Sequence, residues 1–237
     1  MNAVEIRICR LHGAAEVAAH YAPLLSPDEL ERAQRFAFQH LRDEYILGRG
    51  LTRWILGTRI GVPPRSIRFY YSSRGKPYLQ TENEWHFNVS HSKSLFVCAM
   101  TTAGDLGVDI ERVRPMEDAL KIARQFFCES ENWRLQQLPA EYQPTAFFEC
   151  WTRKEAFLKA TGEGLTRELD SFAVTFGPGE RPRFERIDDP ADDPSRWSLK
   201  VFAPAENYVG AVAVRAPIGE LRLQTIDPAD ESFPIFL

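Results

Sequence analysis

The chain contains a faint internal repeat, and this repeat constrains the fold more than any other feature of the sequence. LTRWILGTRIG at 51–61 and WTRKEAFLKATG at 151–162 both have the pattern of a helix end, with an apolar face and a glycine stop. Each is followed by a strand pattern and then by a block that opens with tryptophan, WHFNVSHSKSLFVCAM from Trp85 and WSLKVFAPAENYVGAVAV from Trp197. This order predicts an α+β fold of two similar α+β halves related by pseudo-twofold symmetry.

The repeat also predicts how the chain divides. The two halves would meet near Gly104, which gives an N-terminal α+β half over 1–104 and a C-terminal α+β half over 105–237. With 44% hydrophobic residues in 237, the chain has enough apolar side chains for a substantial core. A cleft between the halves is the natural place for a ligand, and because both halves lie in one chain, we expect a monomer.

Net charge excludes several classes of partner. The formal charge is −4 and no basic arm or stripe is present, which argues against nucleic acid and against an anionic membrane surface. No apolar segment reaches 18 residues, and MNAVEIRICRL alternates like a strand rather than a signal peptide. The four cysteines lie far apart, so we expect buried free thiols. The expected location is the cytoplasm.

Local patterns predict the secondary structure. Ser26, Pro27 and Glu29 form the signature of a helix start, as N-cap, first helical residue and capping-box partner. Longer helices are predicted over 42–61 and 143–164. The remaining predicted elements are a first strand around 4–8, a helical region over 116–138, and strands at 67–71, 76–79, 85–90, 94–102, 170–176, 182–187, 196–203 and 207–215.

Two carboxylates interrupt the apolar segment GVDIERVRP at 107–115. Because strand side chains alternate between faces, Asp109 and Glu111 project from the same face, about 6 to 7 Å apart. Two like charges at that separation repel by about 2 to 3 kcal/mol at an effective dielectric near 20. Water or a cation must offset this repulsion. A D-x-E pattern alone is also common on solvated strand edges, so this segment by itself leaves both interpretations open.

The helix segment WTRKEAFLK carries a third carboxylate. Trp151, Glu155 and Lys159 recur at intervals of four and therefore share one helical face. One interpretation is a surface ion pair between Glu155 and Lys159 above a packed tryptophan, worth about 0.3 to 0.5 kcal/mol. If Glu155 instead joins Asp109 and Glu111, three hard oxygen ligands would hold Mg²⁺ or Mn²⁺, with positions left for substrate phosphate.

The turn in FNVSHSKS offers donors for an anion. Ser90 and His91, with Ser92, Lys93 and Ser94, place hydroxyl, imidazole and ammonium groups between two apolar strands. Lys76 in the tight turn GKP and Arg53 on the second long helix are further cations. In isolation, each has an ordinary alternative: a solvent-exposed turn histidine, a turn lysine and a helix salt-bridge partner.

Taken together, these motifs resemble the 4'-phosphopantetheinyl transferase family in its larger, two-halved form, often called Sfp-type. The resemblance covers about 45–175 and runs through FYYSSRGKPYL, FNVSHSKSLFVCAM, GVDIERVRP, the FF-x-x-x-E of FFCESE, and WTRKEAFLKATGEGL. G-[IV]-D-[IVL]-E followed some forty residues later by W-[ST]-x-K-E-[AS] is far more specific than either half alone. The outer segments, 1–25 and 180–237, add little.

The resemblance implies a fold, an activity and a metal site. It implies a 4'-phosphopantetheinyl transferase-like fold and transfer of the phosphopantetheine arm of coenzyme A to a serine of an apo acyl, aryl or peptidyl carrier protein. The other product would be adenosine 3',5'-bisphosphate. By the same resemblance, Asp109, Glu111 and Glu155 are the ligands of Mg²⁺, with Mn²⁺ as a substitute, and the cation would explain why the acids are tolerated together.

Further roles follow from the resemblance, position by position. Lys159 would stabilise or protonate the leaving group, and Lys154 is its expected neighbour in the site. Glu131 matches a family glutamate that takes the proton of the attacking serine, although the sequence leaves open whether a water on the metal does so instead. The catalytic set expected from the resemblance is Asp109, Glu131, Glu155 and Lys159.

The remaining expected contacts are with coenzyme A. Ser90 and His91 would contact its phosphates, and Lys76 and Arg53 would lie toward its 3'-phosphate and adenine. Lys154 and Lys159 are expected to bind coenzyme A as well. One departure from the family pattern lies in LSPDELERAQRFAF, where Glu29 stands at a position that is often basic. Arg32 at the next such position is carried over, and Arg35 is open as a substitute, as is Lys93.

Carrier proteins of this kind usually present an acidic helix, so a basic or apolar docking patch is expected, most plausibly over 116–138. The sequence does not distinguish clients of fatty acid, polyketide or nonribosomal peptide synthesis. Two other functions remain open from the residues alone: another metal-dependent phosphoryl-transfer or hydrolytic enzyme with the same three acids, and an inert module that binds coenzyme A or a carrier protein.

Overall fold

The computed structural model describes residues 2–11, 14–80 and 84–229 and has mixed helical and strand structure. The helices in these ranges are α1 (Ala14–Tyr21), α2 (Pro27–Gln34), α3 (Gln39–Ile60), α4 (Ala119–Phe126), α5 (Glu129–Gln137) and α6 (Gln143–Thr161). The strands are β1 (Ala3–Arg10), β2 (Phe69–Tyr71), β3 (Pro77–Leu79), β4 (His86–Ser92), β5 (Leu95–Thr101), β6 (Leu106–Arg112), β7 (Phe172–Val174), β8 (Phe184–Ile187), β9 (Ser198–Phe202), β10 (Tyr208–Val214) and β11 (Glu220–Ile226).

Two larger sheets organise the molecule. One has the strand order β11-β1-β5-β4 and the other the order β6-β10-β9, while β2-β3 and β7-β8 are small two-stranded sheets. The first sheet packs one face on α3, where Leu47, Leu51 and Ile55 meet Phe87 and Cys98 in a single buried cluster. The second sheet is covered by α6 and the strands β7 and β8.

The other face of the first sheet packs directly against the second sheet. Ile6, Ile8 and Val97 on the one side share an apolar cluster with Val108 and Val212 on the other. Because these side chains have little or no exposed surface, this cluster joins the two sheets into one core. The strand that carries the two acidic residues, β6, therefore lies at the junction of the two sheets.

The predicted α+β class is confirmed. Both long helices end at a glycine with positive φ, Gly61 at 76° and Gly162 at 72°, as the repeat predicts. After each helix come a two-stranded sheet and then an antiparallel hairpin, β4-β5 in one case and β9-β10 in the other. The order of elements agrees with the repeat, and the pseudo-twofold relation between the halves stays a prediction.

Three features differ from the sequence-based expectations. The strand β11 pairs in parallel with β1, so the C-terminal part of the chain returns to the first sheet across the predicted division at Gly104. The helix α1 was not predicted. The helical region over 116–138 is two helices, because the chain turns at Cys128, where the side chain of Glu131 completes a capping box for α5.

Two expectations about the chain as a whole can be compared with the structure. The cysteines are all buried and free, as predicted. Within the described ranges, no helix combines the length and the apolar character that a membrane crossing requires.

Close packing between β6 and α6 depends on Gly107. A Cβ atom at this position would collide with the carbonyl oxygen of Ala156 and the backbone nitrogen of Ala160. Since both of these are backbone atoms of a helix, rotation of a side chain cannot relieve the collision. The glycine thus lets the helix approach the strand closely, which brings side chains of α6 near the acids of β6.

We expect Gly107→Ala to lower the free energy of unfolding by about 3 kcal/mol, because α6 must move away from β6 to accommodate the new methyl group. Gly48→Ala is the matched control, since a Cβ atom there meets nothing within 4 Å and lies inside α3. The control should gain about 0.5 to 1 kcal/mol from helix propensity. Urea denaturation of both variants checks this, and a Gly107→Ala protein of unchanged stability would contradict it.

Candidate active site

The strands β4 and β6 face each other where the two sheets meet, and side chains connect them. On β6, alternate backbone N–H groups point toward β4, and each donates to a side-chain oxygen of β4 instead of a backbone carbonyl. These hydrogen bonds run from Val108 N–H to Asn88 Oδ1 (3.0 Å), from Ile110 N–H to Ser90 Oγ (3.3 Å) and from Arg112 N–H to Ser92 Oγ (3.2 Å).

The same strand carries the first two acids. Asp109 is 5% exposed, and its Oδ1 accepts hydrogen bonds from Ser90 Oγ (2.9 Å) and from the Lys159 ammonium (2.6 Å). Glu111 is half-buried, and its Oε2 accepts a hydrogen bond from Ser92 Oγ (2.7 Å). Serine hydroxyls therefore hold one oxygen of each carboxylate.

The third acid, Glu155, lies on α6 and is brought close to the first two. Burial raises the pKa of the Glu155 carboxyl, and the negative charges of Asp109 and Glu111 raise it further, whereas Lys159 opposes the rise. The charges of Asp109 and Glu111 are therefore close enough to Glu155 to act on its carboxyl group. The alternative surface pair of Glu155 with Lys159 is not observed, because the Lys159 ammonium pairs with Asp109.

The donor set suits a hard divalent cation. Asp109 Oδ2 is buried and has no hydrogen-bond partner. No hydrogen bond therefore offsets the free-energy cost of removing this oxygen from water. All of the candidate ligand atoms are carboxylate oxygens, which Mg²⁺ and Mn²⁺ prefer. No group of three or more His, Cys, Asp or Glu side chains in the described part of the chain already has the arrangement of a metal site. The residues fit a cation chemically, and its binding remains a proposal.

A cleft of about 300 Å³ opens beside the acids. Arg74, Lys76 and Lys159 line it together with Glu155, so three cationic residues and one of the three acids border this space. Such a combination suits a ligand with several phosphate groups. Lys76 also links the sheet junction to α6, because its ammonium donates to the carbonyls of Leu106 (3.1 Å) and Ala160 (2.6 Å).

Burial lowers the pKa of Lys76 to about 8, although Asp105 nearby opposes the shift. A lysine in the unfolded chain keeps its proton to about pH 10.4, so between these values the unfolded state binds more protons than the folded state. The stability contributed by Lys76 must therefore rise with pH across this window, by at most about 1.4 kcal/mol per pH unit.

As the pH is raised from about 7.5 to about 10, the unaltered protein should gain stability relative to the Lys76→Met variant. The quantity to compare is the free energy of unfolding of the unaltered protein minus that of the variant. Urea denaturation at the two pH values measures this difference, and the subtraction removes the titration of all other groups. A difference that is constant or falls with pH would contradict the depressed pKa.

Other predicted site residues are not placed in this cluster. Glu131 and Lys154 are both fully buried and pair with each other at 2.8 Å. The backbone N–H groups of Cys128 and Val174 donate to the Glu131 carboxylate, and the Lys154 ammonium also donates to the carbonyls of Leu169 and Phe172. In this structure both side chains are enclosed, and the roles predicted for them, Glu131 as acceptor of the serine proton and Lys154 as a contact of coenzyme A, stay predictions.

Arg53 is also an internal residue. It is 2% exposed, and its guanidinium donates to Glu29 Oε2 (2.6 Å) and to two backbone carbonyls. Glu29 in turn closes the predicted capping box at Ser26 and pairs with Arg49. The departure from the family pattern at Glu29 therefore serves the packing of α2 on α3, and the contact of Arg53 with coenzyme A stays a prediction.

The three other predicted contacts differ in accessibility. The hydroxyl of Ser90 donates once and accepts from both Ile110 N–H and Lys159, which uses its full capacity in this structure, and its contact with a CoA phosphate stays a prediction. His91 and Arg32 are exposed, the latter with its guanidinium 5.6 Å from the ring centre of Tyr45. Their contacts with a ligand remain predictions.

Asn88 and Arg74 belong to the site region and were not selected from the sequence. Asn88 begins the alternating pattern N-x-S-x-S on β4, and that period of two was the signal that could have identified it. Arg74 lies in the turn SSRG between β2 and β3, where a single arginine carries no recognisable pattern.

Comparison with known proteins agrees with the geometry. A family model described as the 4'-phosphopantetheinyl transferase superfamily matches residues 105–213, and one described as 4'-phosphopantetheinyl transferase, N-terminal, matches 15–103. The 4'-phosphopantetheinyl transferase HetI of Nostoc sp. is 41% identical over 196 residues, which cover 81% of this chain and 79% of the relative. The 4'-phosphopantetheinyl transferase Sfp of Bacillus subtilis is 32% identical over 197 residues, covering 83% and 85%.

A more distant relative is the L-aminoadipate-semialdehyde dehydrogenase-phosphopantetheinyl transferase of Homo sapiens, 26% identical over 226 residues that cover 89% of this chain and 73% of the relative. The fold, the cleft and these matches together define a transferase class. The chain belongs to the 4'-phosphopantetheinyl transferase superfamily and is an enzyme that transfers phosphopantetheine to carrier proteins. The resemblance stated from the motifs is confirmed.

Proposed function

We propose that the enzyme takes the 4'-phosphopantetheine arm from coenzyme A and attaches it to a serine of an apo acyl, aryl or peptidyl carrier protein in a Mg²⁺-dependent reaction. The serine hydroxyl gives up its proton, to Glu131 or to water, and its oxygen forms a bond to the phosphorus that bears pantetheine, while the bond from that phosphorus to the bridging oxygen breaks. Adenosine 3',5'-bisphosphate leaves with the bridging oxygen. The convergence of three carboxylates and Lys159 beside a cationic cleft carries this proposal.

Asp109, Glu111 and Glu155 are the proposed ligands of the metal ion. A bound Mg²⁺, or Mn²⁺ in its place, would offset the negative charge of the pyrophosphate and of the leaving phosphate. Two observations support these ligands: the buried Oδ2 of Asp109 lacks a partner, and the pKa of Glu155 is raised by burial and by the other two acids. Both features describe acids that need a positive charge.

The cationic side chains of the cleft would bind and orient coenzyme A. Lys159 lies closest to the acids, and its ammonium can donate to the leaving phosphate while it stays near Asp109. Arg74 and Lys76 line the other side of the cleft, where further phosphate groups would bind. His91 and Arg32 are exposed donors that would extend these contacts. The site would then lie between the halves 1–104 and 105–237.

The carrier protein would dock on the region 116–138, which combines basic and exposed apolar residues. On α4, Lys121 and Arg124 supply positive charge, and Phe126 is 41% exposed. On α5, Trp133 is 66% exposed. Such a surface is complementary to an acidic helix with an apolar stripe. We further propose that the enzyme acts as a cytoplasmic monomer without a nucleic-acid or membrane partner.

The proposal is tested by incubating the protein with coenzyme A, Mg²⁺ and each of a panel of apo acyl, aryl and peptidyl carrier proteins. Intact-mass spectrometry should show a gain of one phosphopantetheine on a carrier, and the same carrier with its acceptor serine changed to alanine should gain none. Nucleotide release without a protein acceptor would favour the hydrolytic alternative. Binding of coenzyme A without any product would favour the inert module.

A further inference from the structure

Three side chains of β4 accept hydrogen bonds from β6 at a constant spacing and form a side-chain ladder between the two strands. Asn88, Ser90 and Ser92 each accept from the backbone N–H group twenty positions further along the chain. A constant offset means that the two strands run parallel. Neighbouring parallel strands ordinarily bond backbone to backbone. Here side-chain oxygens of β4 replace the backbone carbonyls, so these three side chains set the position of β6 against β4.

The three side chains of the ladder differ in the other hydrogen bonds that they make. Asn88 accepts from Val108 N–H and has no hydrogen bond with a carboxylate among the described residues. Ser90 and Ser92 are different, because each also donates its hydroxyl proton to an acid. A serine hydroxyl can accept and donate at the same time, and β4 uses both capacities at these two positions.

We infer that Ser92 is a positioning residue for Glu111 and holds this carboxylate in place for cation binding. Ser92 Oγ is fixed by Arg112 N–H at 3.2 Å and holds Glu111 Oε2 at 2.7 Å. One carboxylate oxygen is thereby anchored and the other is left for a cation. This inference rests on the proposed function, because Glu111 is a metal ligand only by that proposal.

The anchoring matters most for Glu111 because of its length and exposure. A glutamate side chain has more rotatable bonds than an aspartate, and Glu111 is only half-buried, whereas Asp109 is 5% exposed and is also held by Lys159. A flexible ligand loses conformational entropy when it binds a cation. The hydrogen bond from Ser92 restricts Glu111 before the cation binds, so less conformational entropy is lost on binding. Outer-shell partners of this kind contribute about 10- to 100-fold to metal affinity.

The test compares Ser92→Thr with Ser92→Val, two β-branched residues of similar size that differ in the hydroxyl group. Mn²⁺ is titrated into each protein in the presence of coenzyme A and without a carrier protein. Free Mn²⁺ is measured by its electron paramagnetic resonance signal, with a blank that contains only coenzyme A. We expect Ser92→Val to bind Mn²⁺ about 10-fold more weakly than the unaltered protein. Ser92→Thr should bind nearly as well as the unaltered protein.

Ser198→Val is the matched control. The Ser198 hydroxyl also accepts from a backbone N–H group, that of Ile218, but it donates to the carbonyl of Ala216 and does not line the cleft. The thermal midpoint of this variant should fall while its Mn²⁺ affinity changes little. Equal Mn²⁺ affinities for Ser92→Thr and Ser92→Val would overturn the inference alone. The same holds if Ser198→Val weakens Mn²⁺ binding as much as Ser92→Val. An unaltered protein that binds no Mn²⁺ would overturn the inference together with the metal site, whereas carrier modification tests the proposed transferase reaction separately.

Discussion

Replacement of Asp109 by alanine should lower the rate of carrier-protein modification by at least about 100-fold, since the loss of a ligand should exceed the loss of an outer-shell partner. The carboxylate organises the site in two ways. Its Oδ1 accepts from Ser90 and Lys159, and its buried Oδ2 is available to a cation. The initial rate of mass gain on an apo carrier protein, at saturating Mg²⁺ and coenzyme A, measures this effect.

The matched control is Glu185→Ala. Glu185 lies on β8 and pairs with Arg134, and its side chain does not line the cleft. This variant also loses an ion-paired acid, yet its rate should stay close to that of the unaltered enzyme. Urea denaturation of both variants separates a loss of folding from a loss of turnover. An Asp109→Ala protein with full activity would remove the metal model.

The second large effect concerns stability and the buried pair of Lys154 with Glu131. We expect Lys154→Met to lower the free energy of unfolding by about 3 to 5 kcal/mol, because it leaves the fully buried Glu131 without its positive partner. In the double variant Glu131→Gln with Lys154→Met, no charge remains to be compensated. The double variant should therefore lose less stability than the two single variants added together.

The same variants distinguish a structural role for Glu131 from the catalytic role that the family resemblance implies. If Glu131 only anchors the segment around Cys128 and Val174, Glu131→Gln should lose stability while the folded fraction keeps its turnover rate. If it took the proton of the serine, the rate per folded molecule would fall while stability held. Urea denaturation and single-turnover mass spectrometry on the same samples separate the two outcomes.

Elements with local signals could be predicted from the sequence. The helix ends at Gly61 and Gly162 carry a glycine stop after an apolar face, and the β4-β5 hairpin has two apolar runs around a polar turn. The strand β11 was not predicted, although ELRLQTI alternates polar and apolar residues as strands do; in the structure it is exposed along most of its length and lacks the buried apolar run of β5. Its formation depends on parallel pairing with β1 at the opposite end of the chain, which no local pattern records.

The candidate acids could be selected from the sequence, whereas the burial of several cations could not be predicted. Two acids that alternate in an apolar strand conflict with burial, and that conflict identifies Asp109 and Glu111. Arg53 and Lys154 were selected as contacts of coenzyme A, whereas both are buried in the structure. Charged residues are almost never fully buried unless they are paired, so this burial could be predicted only from knowledge of their partners. Their partners are distant in sequence: Glu29 and backbone carbonyls for Arg53, and Glu131 and backbone carbonyls for Lys154. Only the folded chain brings those partners together.

The central claim is that carboxylates from β6 and α6 gather around one divalent ion at the junction of the two sheets. Crystals of the protein grown with Mn²⁺ and coenzyme A test it most directly, through an anomalous difference map recorded near the manganese absorption edge. The account predicts one strong peak within ligand distance of Asp109, Glu111 and Glu155. A peak that none of these carboxylates ligates, or no peak at the junction while coenzyme A occupies the cleft, would contradict it.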